Sequence, residues 1–151
     1  MSLIPLIENI FFSNGRFWGN LNASLYNSGP VWAMKTGIES ADLNMVWNEK
    51  PLMPDDRKTI SDIKTNFRQS GLPFWWWMFP GGQSRTSMDM LQAEGFSFVD
   101  GIPCMLADLS LMPDQQTGAT DVSIIRVCSP EELALWETVS FSGFDFPPET
   151  K

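Results

Sequence analysis

The sequence predicts an α/β (α+β) fold in which helices cover both faces of a sheet. The first observation is the run Gly71-Leu72-Pro73-Phe74-Trp75-Trp76-Trp77-Met78-Phe79-Pro80-Gly81-Gly82, an aromatic stretch closed at each end by Gly and Pro. Side chains alternate along a strand, so three consecutive tryptophans put large apolar groups on both faces, and both need cover. Such a strand belongs in the centre of a sheet. The second observation is helical spacing of apolar residues in the segments before it: Leu3, Ile7, Ile10 and Phe11, then Ile60, Ile63 and Phe67. The third is a set of short β-prone runs set off by Gly, Pro and Asn.

The N-terminal helix is expected to stop at Ser13-Asn14-Gly15. Phe17, Trp18 and Leu21 then continue as a second short helix or turn, docked on the sheet. Asn27-Ser28-Gly29-Pro30 is turn chemistry. Val31-Trp32-Ala33-Met34-Lys35 and Leu43-Asn44-Met45-Val46-Trp47 read as two strands, paired antiparallel across a connection from Gly37 to Asp42. Pro54 suits the first turn of the next helix, Asp55 and Asp56 suit its positive end, and Gly71 is a left-handed stop. After the aromatic strand, Ser84 or Thr86 is placed to cap a helix carrying Met88, Met90 and Leu91, which Gly95 ends.

Phe96-Ser97-Phe98-Val99 and Cys104-Met105-Leu106-Ala107-Asp108-Leu109 read as a hairpin-like pair around the turn Asp100-Gly101-Ile102-Pro103. The stretch from Met112 to Asp121 is a linker by composition. Val122-Ser123-Ile124-Ile125-Arg126-Val127 follows as a strand. Ser129-Pro130-Glu131-Glu132 forms a capping box ahead of a helix whose apolar face is Leu133, Trp136 and Val139. The expected division is 1–112 as an N-terminal lobe, 113–120 as a linker, and 121–151 as the opening strand and helix of a second unit.

Length and composition exclude several classes. A chain of 151 residues with 43% hydrophobic and 19% charged residues has a packed core rather than disorder. A net charge of −8 and a pI near 4.3 argue against nucleic acid or an anionic membrane as partner. The densest basic group is Arg57, Lys58, Lys64 and Arg68, interleaved with Asp55, Asp56 and Asp62, and it reads as the wet face of a helix. The chain contains no His, which removes zinc sites and both the Ser-His-Asp and Cys-His forms of nucleophilic catalysis. Cys104 and Cys128 leave a disulfide open, but with no basic n-region and no long apolar run the expectation is reduced thiols in the cytoplasm. Cys104 is expected to be a buried thiol in its strand.

The helix–turn–strand Met90-Leu91-Gln92-Ala93-Glu94-Gly95-Phe96 resembles the "LYxxxGF" end of the last helix in the GNAT superfamily of acyl-CoA-dependent N-acyltransferases. The strand pair ending Met105-Leu106-Ala107-Asp108-Leu109 fits the same order, and the likeness runs through roughly the whole chain with motifs of moderate specificity. Pro73 with Trp75-Trp76 and Pro80 resembles proteins built from two GNAT-like units, of which the first is degenerate and the second carries the acyl-CoA site. The resemblance implies a mixed, mostly antiparallel sheet. It implies that the complete protein transfers an acetyl group from acetyl-CoA to an amine. It also implies that this chain is the non-catalytic N-terminal lobe, with a C-terminal GNAT lobe or a second copy of the chain as partner.

Departures from the family pattern support the non-catalytic role. The family holds the CoA pyrophosphate on free backbone N–H groups of a Gly-rich loop at a helix start. The matching loop, Asn48-Glu49-Lys50-Pro51-Leu52-Met53-Pro54-Asp55-Asp56, has no Gly, two prolines and three carboxylates. The family's acidic Tyr corresponds to Leu91, which cannot protonate a leaving group, and the single tyrosine is Tyr26. No catalytic, cofactor or metal-binding residue is therefore assigned, and acetyl-CoA is expected only for the complete protein.

Trp32, Trp47, Trp75 and Trp77 are the candidate walls of a substrate cleft, since Trp offers a flat apolar face and one N–H donor. Glu39 and Glu49 are the acids available as a base toward a small amine. Gly81-Gly82 with Ser84, Arg85 and Thr86 reads either as an anion-binding turn or as a plain loop and cap. Two alternatives stand beside the acetyltransferase lobe: a small-molecule binding module, and a structural or dimerising domain without activity.

Overall fold

The structure is a computed structural model that describes residues 2–21, 24–105 and 125–144. The chain divides into two units, Met1–Met105 and Leu106–Lys151. The first is mixed α+β. Its order is α1 (Ile4–Leu21), β1 (Leu25–Ser28), β2 (Val31–Met34), β3 (Met45–Asn48), α2 (Arg57–Ser70), β4 (Trp75–Met78) and α3 (Arg85–Ala93). Among the described residues the second unit contributes one helix, α4 (Pro130–Phe144).

The sheet order is β1-β2-β3-β4. The pairs β1/β2 and β2/β3 are antiparallel, whereas β3/β4 is parallel with α2 as the crossover. The aromatic strand β4 is therefore the last strand of the described sheet, not a central one. Each of its faces is only half covered, and Trp75 remains 37% exposed.

Helices lie on both faces, as the alternation of β4 requires. One face packs Val31, Ala33 and Val46 against Ile60, Ile63 and Phe67 of α2 and Met90 and Leu91 of α3. The other packs Met34 and Trp47 against Phe12 of α1, with Phe11, Trp32 and Trp77 around them.

Helix α2 follows its local signals. A short 3-10 turn, Pro54–Asp56, leads in, and Gly71 closes it at φ 69°. Ser84 caps α3 by accepting the Ser87 N–H at 3.0 Å. The α4 capping box is also formed: the Ser129 hydroxyl accepts the Glu132 N–H, and the Glu132 carboxylate accepts the N–H groups of Cys128 and Ser129. Those two backbone donors hold the Glu132 carboxyl below its ordinary pKa.

Several expectations are corrected. Helix α1 does not stop at Ser13-Asn14-Gly15 but runs unbroken to Leu21. Gly15 is a close-approach glycine: a Cβ there would sit 2.9 Å from the Trp47 ring. Leu25–Ser28 forms a strand that turn chemistry had hidden, closed onto β2 through Gly29 at φ 57°. Leu43 and Asn44 precede their strand rather than open it. Asn44 is buried and accepts the Thr36 N–H while donating to the carbonyls of Ile38 and Ser40, which fixes the connection.

Phe96–Val99 and the following residues to Met105 form no strand, and Phe98, Val99, Ile102 and Met105 are exposed. β-propensity acts only where a partner strand covers the residue. Cys104 is accordingly exposed rather than buried, as is Cys128. Residues 125–127 are not strand. The rest of the expected return strand, the linker and most of the strand at 122–127 lie outside the described residues.

Candidate functional site

The register brings all four nominated tryptophans to one face of the sheet. Trp32, Trp47 and Trp77 stand directly across β2, β3 and β4, and Trp75 stands in the next row beside Met45. Trp32 and Trp47 are stacked, with ring centroids 6.2 Å apart and planes 8° apart. Alternation puts Trp75 and Trp77 on one face, and the strand register aligns them with Trp32 and Trp47.

Helix α1 lies over this row. Phe12 stacks on Trp47 at 6.5 Å, and Phe11 meets both Trp47 and Trp77. Trp47 is 0% exposed, so it is a core residue and walls no open cleft. The indole N–H groups of Trp47 and Trp77 are buried without an acceptor. Trp75 is at the edge, its indole donating to Asp42 at 2.9 Å. Trp32 borders a sizeable cavity.

That cavity has a volume of about 510 Å³ and is bordered by Trp32, Glu49, Lys50, Met53 and Asp56, with the β1–β2 turn at its side. Arg16 of α1 contacts two of its lining residues, Trp32 and Glu49. Its guanidinium carbon stands 5.4 Å over the Trp32 ring, and one of its nitrogens is paired with the Glu49 carboxylate. A planar cation is thus already held between an indole face and a carboxylate. Glu49 is engaged by this pair. Glu39 is exposed in the connection before β3.

The ends of the parallel strands β3 and β4 open on the same side, where helix starts in such sheets usually receive anions. Here the protein fills those positions itself. Asp56 accepts the Met53 N–H at 2.8 Å. The Gly81 N–H donates to the Glu8 carboxylate at 2.6 Å. Between them, buried Asn48 donates to the carbonyls of Lys50 and Gly82 and accepts the Trp76 indole N–H at 3.0 Å. Ser87 donates to the same Gly82 carbonyl and accepts the Leu52 N–H. Gly82 packs directly on Asn48, so no side chain fits there.

Carboxylates standing at the glycine turn and in the loop before α2 oppose a pyrophosphate and favour a cation. Leu91 is a buried core residue. Tyr26 lies on β1 beside a second cavity of about 310 Å³ that borders α2, away from the tryptophan row. Among the described residues no group of three metal-ligating side chains converges, and no helix is long and apolar enough to cross a membrane.

Sequence reasoning missed Arg16 and Glu8. Their partners are 33 and 73 residues away, so no local pattern marks them. The one available signal was that a helix otherwise free of charge spends its two charges there.

No known protein family matches this chain, no curated protein matches it, and no solved structure matches it.

Proposed function

We propose that this chain is the non-catalytic N-terminal lobe of an N-acetyltransferase, and that it serves the acceptor amine rather than acetyl-CoA. The observation that carries the reading is the Arg16 guanidinium held between Trp32 and Glu49, two residues that border the 510 Å³ cavity. The protein's own cation marks a place where an amine or guanidine ligand is chemically suited. The loop from Glu49 to Asp56 supports the other half of the reading, because its own carboxylate takes a backbone N–H that a phosphate would need. Two antiparallel pairs followed by a parallel helix crossover are compatible with the GNAT-like order of elements.

Arg16 acts in this reading as an internal competitor. Calorimetric titration of the chain with arginine methyl ester and with spermidine tests it. Binding is expected, with several-fold tighter affinity in Arg16→Ala and loss in Trp32→Ala and Glu49→Gln. Acetyl-CoA is expected to give no heat. Tight acetyl-CoA binding would falsify the division of labour, and cation binding indifferent to Trp32→Ala would remove the site. The same pocket without an attached catalytic lobe would make the chain a stand-alone cation-binding module, and a supplied catalytic lobe that gains activity with this chain separates the two.

A further inference from the structure

The second cavity, of about 310 Å³, is bordered by β1, β2 and α2, and it sits at the small end of ligand-sized pockets. Its apolar lining is part of the core: Ala33 of β2 with Ile63 and Phe67 of α2. Tyr26 stands across from Ala33 in the β1–β2 register, so its ring joins the same face of the sheet. Alternation brings Lys35 to that face as well, two residues beyond Ala33. The Lys35 backbone N–H donates to the Ser24 carbonyl at 3.2 Å, which continues the pairing of the two strands and fixes the residue in place.

The charge on this cavity is not balanced. Lys35 is half-buried, and its ammonium donates to the Asn66 side-chain oxygen at 2.8 Å and to the Ser70 hydroxyl at 3.1 Å. Both partners are neutral. Among the described residues no carboxylate pairs with Lys35. Asp62, which also borders the cavity, is held by Lys58 at 2.6 Å. An ammonium has a third donor to give. Asn66 turns its oxygen to the lysine, so its amide nitrogen keeps two more donors, for which the described residues supply no acceptor. An unneutralised cation and spare N–H groups thus stand beside an apolar surface.

We infer that this cavity binds a small apolar monocarboxylate, such as an arylacetate or a medium-chain fatty acid. The carboxylate accepts from Lys35 and Asn66, and the apolar body lies against Tyr26, Ile63 and Phe67. An organic cation is repelled by Lys35 and finds Asp62 already engaged. A phosphate dianion meets a single ammonium, stands near the Asp62 carboxylate and leaves the apolar lining unused. A neutral apolar molecule covers the lining but leaves the ammonium without a counter-charge. Trp32 belongs to the opposite face of the sheet from Ala33, and the inference does not rest on the cation reading.

Calorimetric titration of the full chain with phenylacetate tests it. Submillimolar binding is expected. Phenylacetamide, which keeps the ring and loses the charge, is expected to bind at least about tenfold more weakly, and phenethylamine and inorganic phosphate not at all. Lys35→Met is expected to weaken phenylacetate at least about tenfold. Asn66→Asp is expected to abolish binding, because it gives Lys35 a carboxylate of the protein's own. Both positions are at the surface or half-buried, and unchanged far-UV circular dichroism shows that each variant has folded. No phenylacetate binding at millimolar ligand overturns the inference. Equal binding of phenylacetamide overturns it too, as does phosphate binding as tight as that of phenylacetate. Affinity indifferent to both Lys35→Met and Asn66→Asp places the ligand elsewhere and also overturns it.

Discussion

The two faces of the sheet both pack aromatic residues but treat polar groups in opposite ways. On the α2 and α3 face, Trp76 donates its indole N–H to Asn48, and Asn48 in turn organises the Lys50 and Gly82 carbonyls. On the α1 face, Trp47 and Trp77 are packed among phenylalanines and their N–H groups find no acceptor. The first face uses Trp as an apolar body with a polar handle, and the second uses it as a flat filler. A buried donor without a partner costs about 1–3 kcal/mol, so the α1 face achieves its packing at a standing electrostatic disadvantage.

Four substitutions sharpen that contrast. The largest effect is expected for Trp47→Ala, which empties the centre of the α1 face and should cost about 3–5 kcal/mol in urea unfolding. Trp76→Phe comes next. It removes the donor and leaves the Asn48 carbonyl oxygen buried without its indole partner, at about 1–3 kcal/mol. Gly15→Ala is smaller, because overpacking against Trp47 at about 1–3 kcal/mol is partly offset by the better helix propensity of Ala, worth about 1 kcal/mol. Trp77→Phe should be the smallest, within about 0.5 kcal/mol of wild type, since lost ring area is balanced by removal of an unsatisfied donor. If Trp77→Phe proves as costly as Trp76→Phe, the indole of Trp77 has a hydrogen-bond partner in solution and the contrast between faces fails.

The parts of the fold that were legible in the sequence are those fixed by neighbouring residues. Helix α2 carries its start in Pro54, Asp55 and Asp56 and its stop in Gly71, and the helix α4 start is complete within Ser129–Glu132. That Trp75 and Trp77 share a face also followed from alternation, whereas their alignment with Trp32 and Trp47 rests on strand register. What stayed hidden depended on distant contacts. Asn14-Gly15 looks like a helix end until Trp47 is seen pressed against Gly15. Phe96–Val99 has the composition of a strand, but no strand partners it among the described residues. Trp47 looked like a cleft wall because nothing in its own neighbourhood announces α1 above it, and the Arg16 contact with Trp32 is invisible for the same reason.

The contact between Glu8 and Gly81 spans 73 residues, and it sets a schedule for the newborn chain. Helix α1 is synthesised before the sheet it lies on, and the turn that anchors its beginning comes after all four strands. At roughly 5–20 residues per second the helix waits about 4–15 seconds for that turn to be synthesised. Until β2 and β3 are made, Phe11 and Phe12 of α1 have no sheet to lie on. A holding chaperone has its natural target in α1 during that time. Slowing translation between α1 and β4 should lower the yield of folded protein more than slowing it anywhere after Gly82.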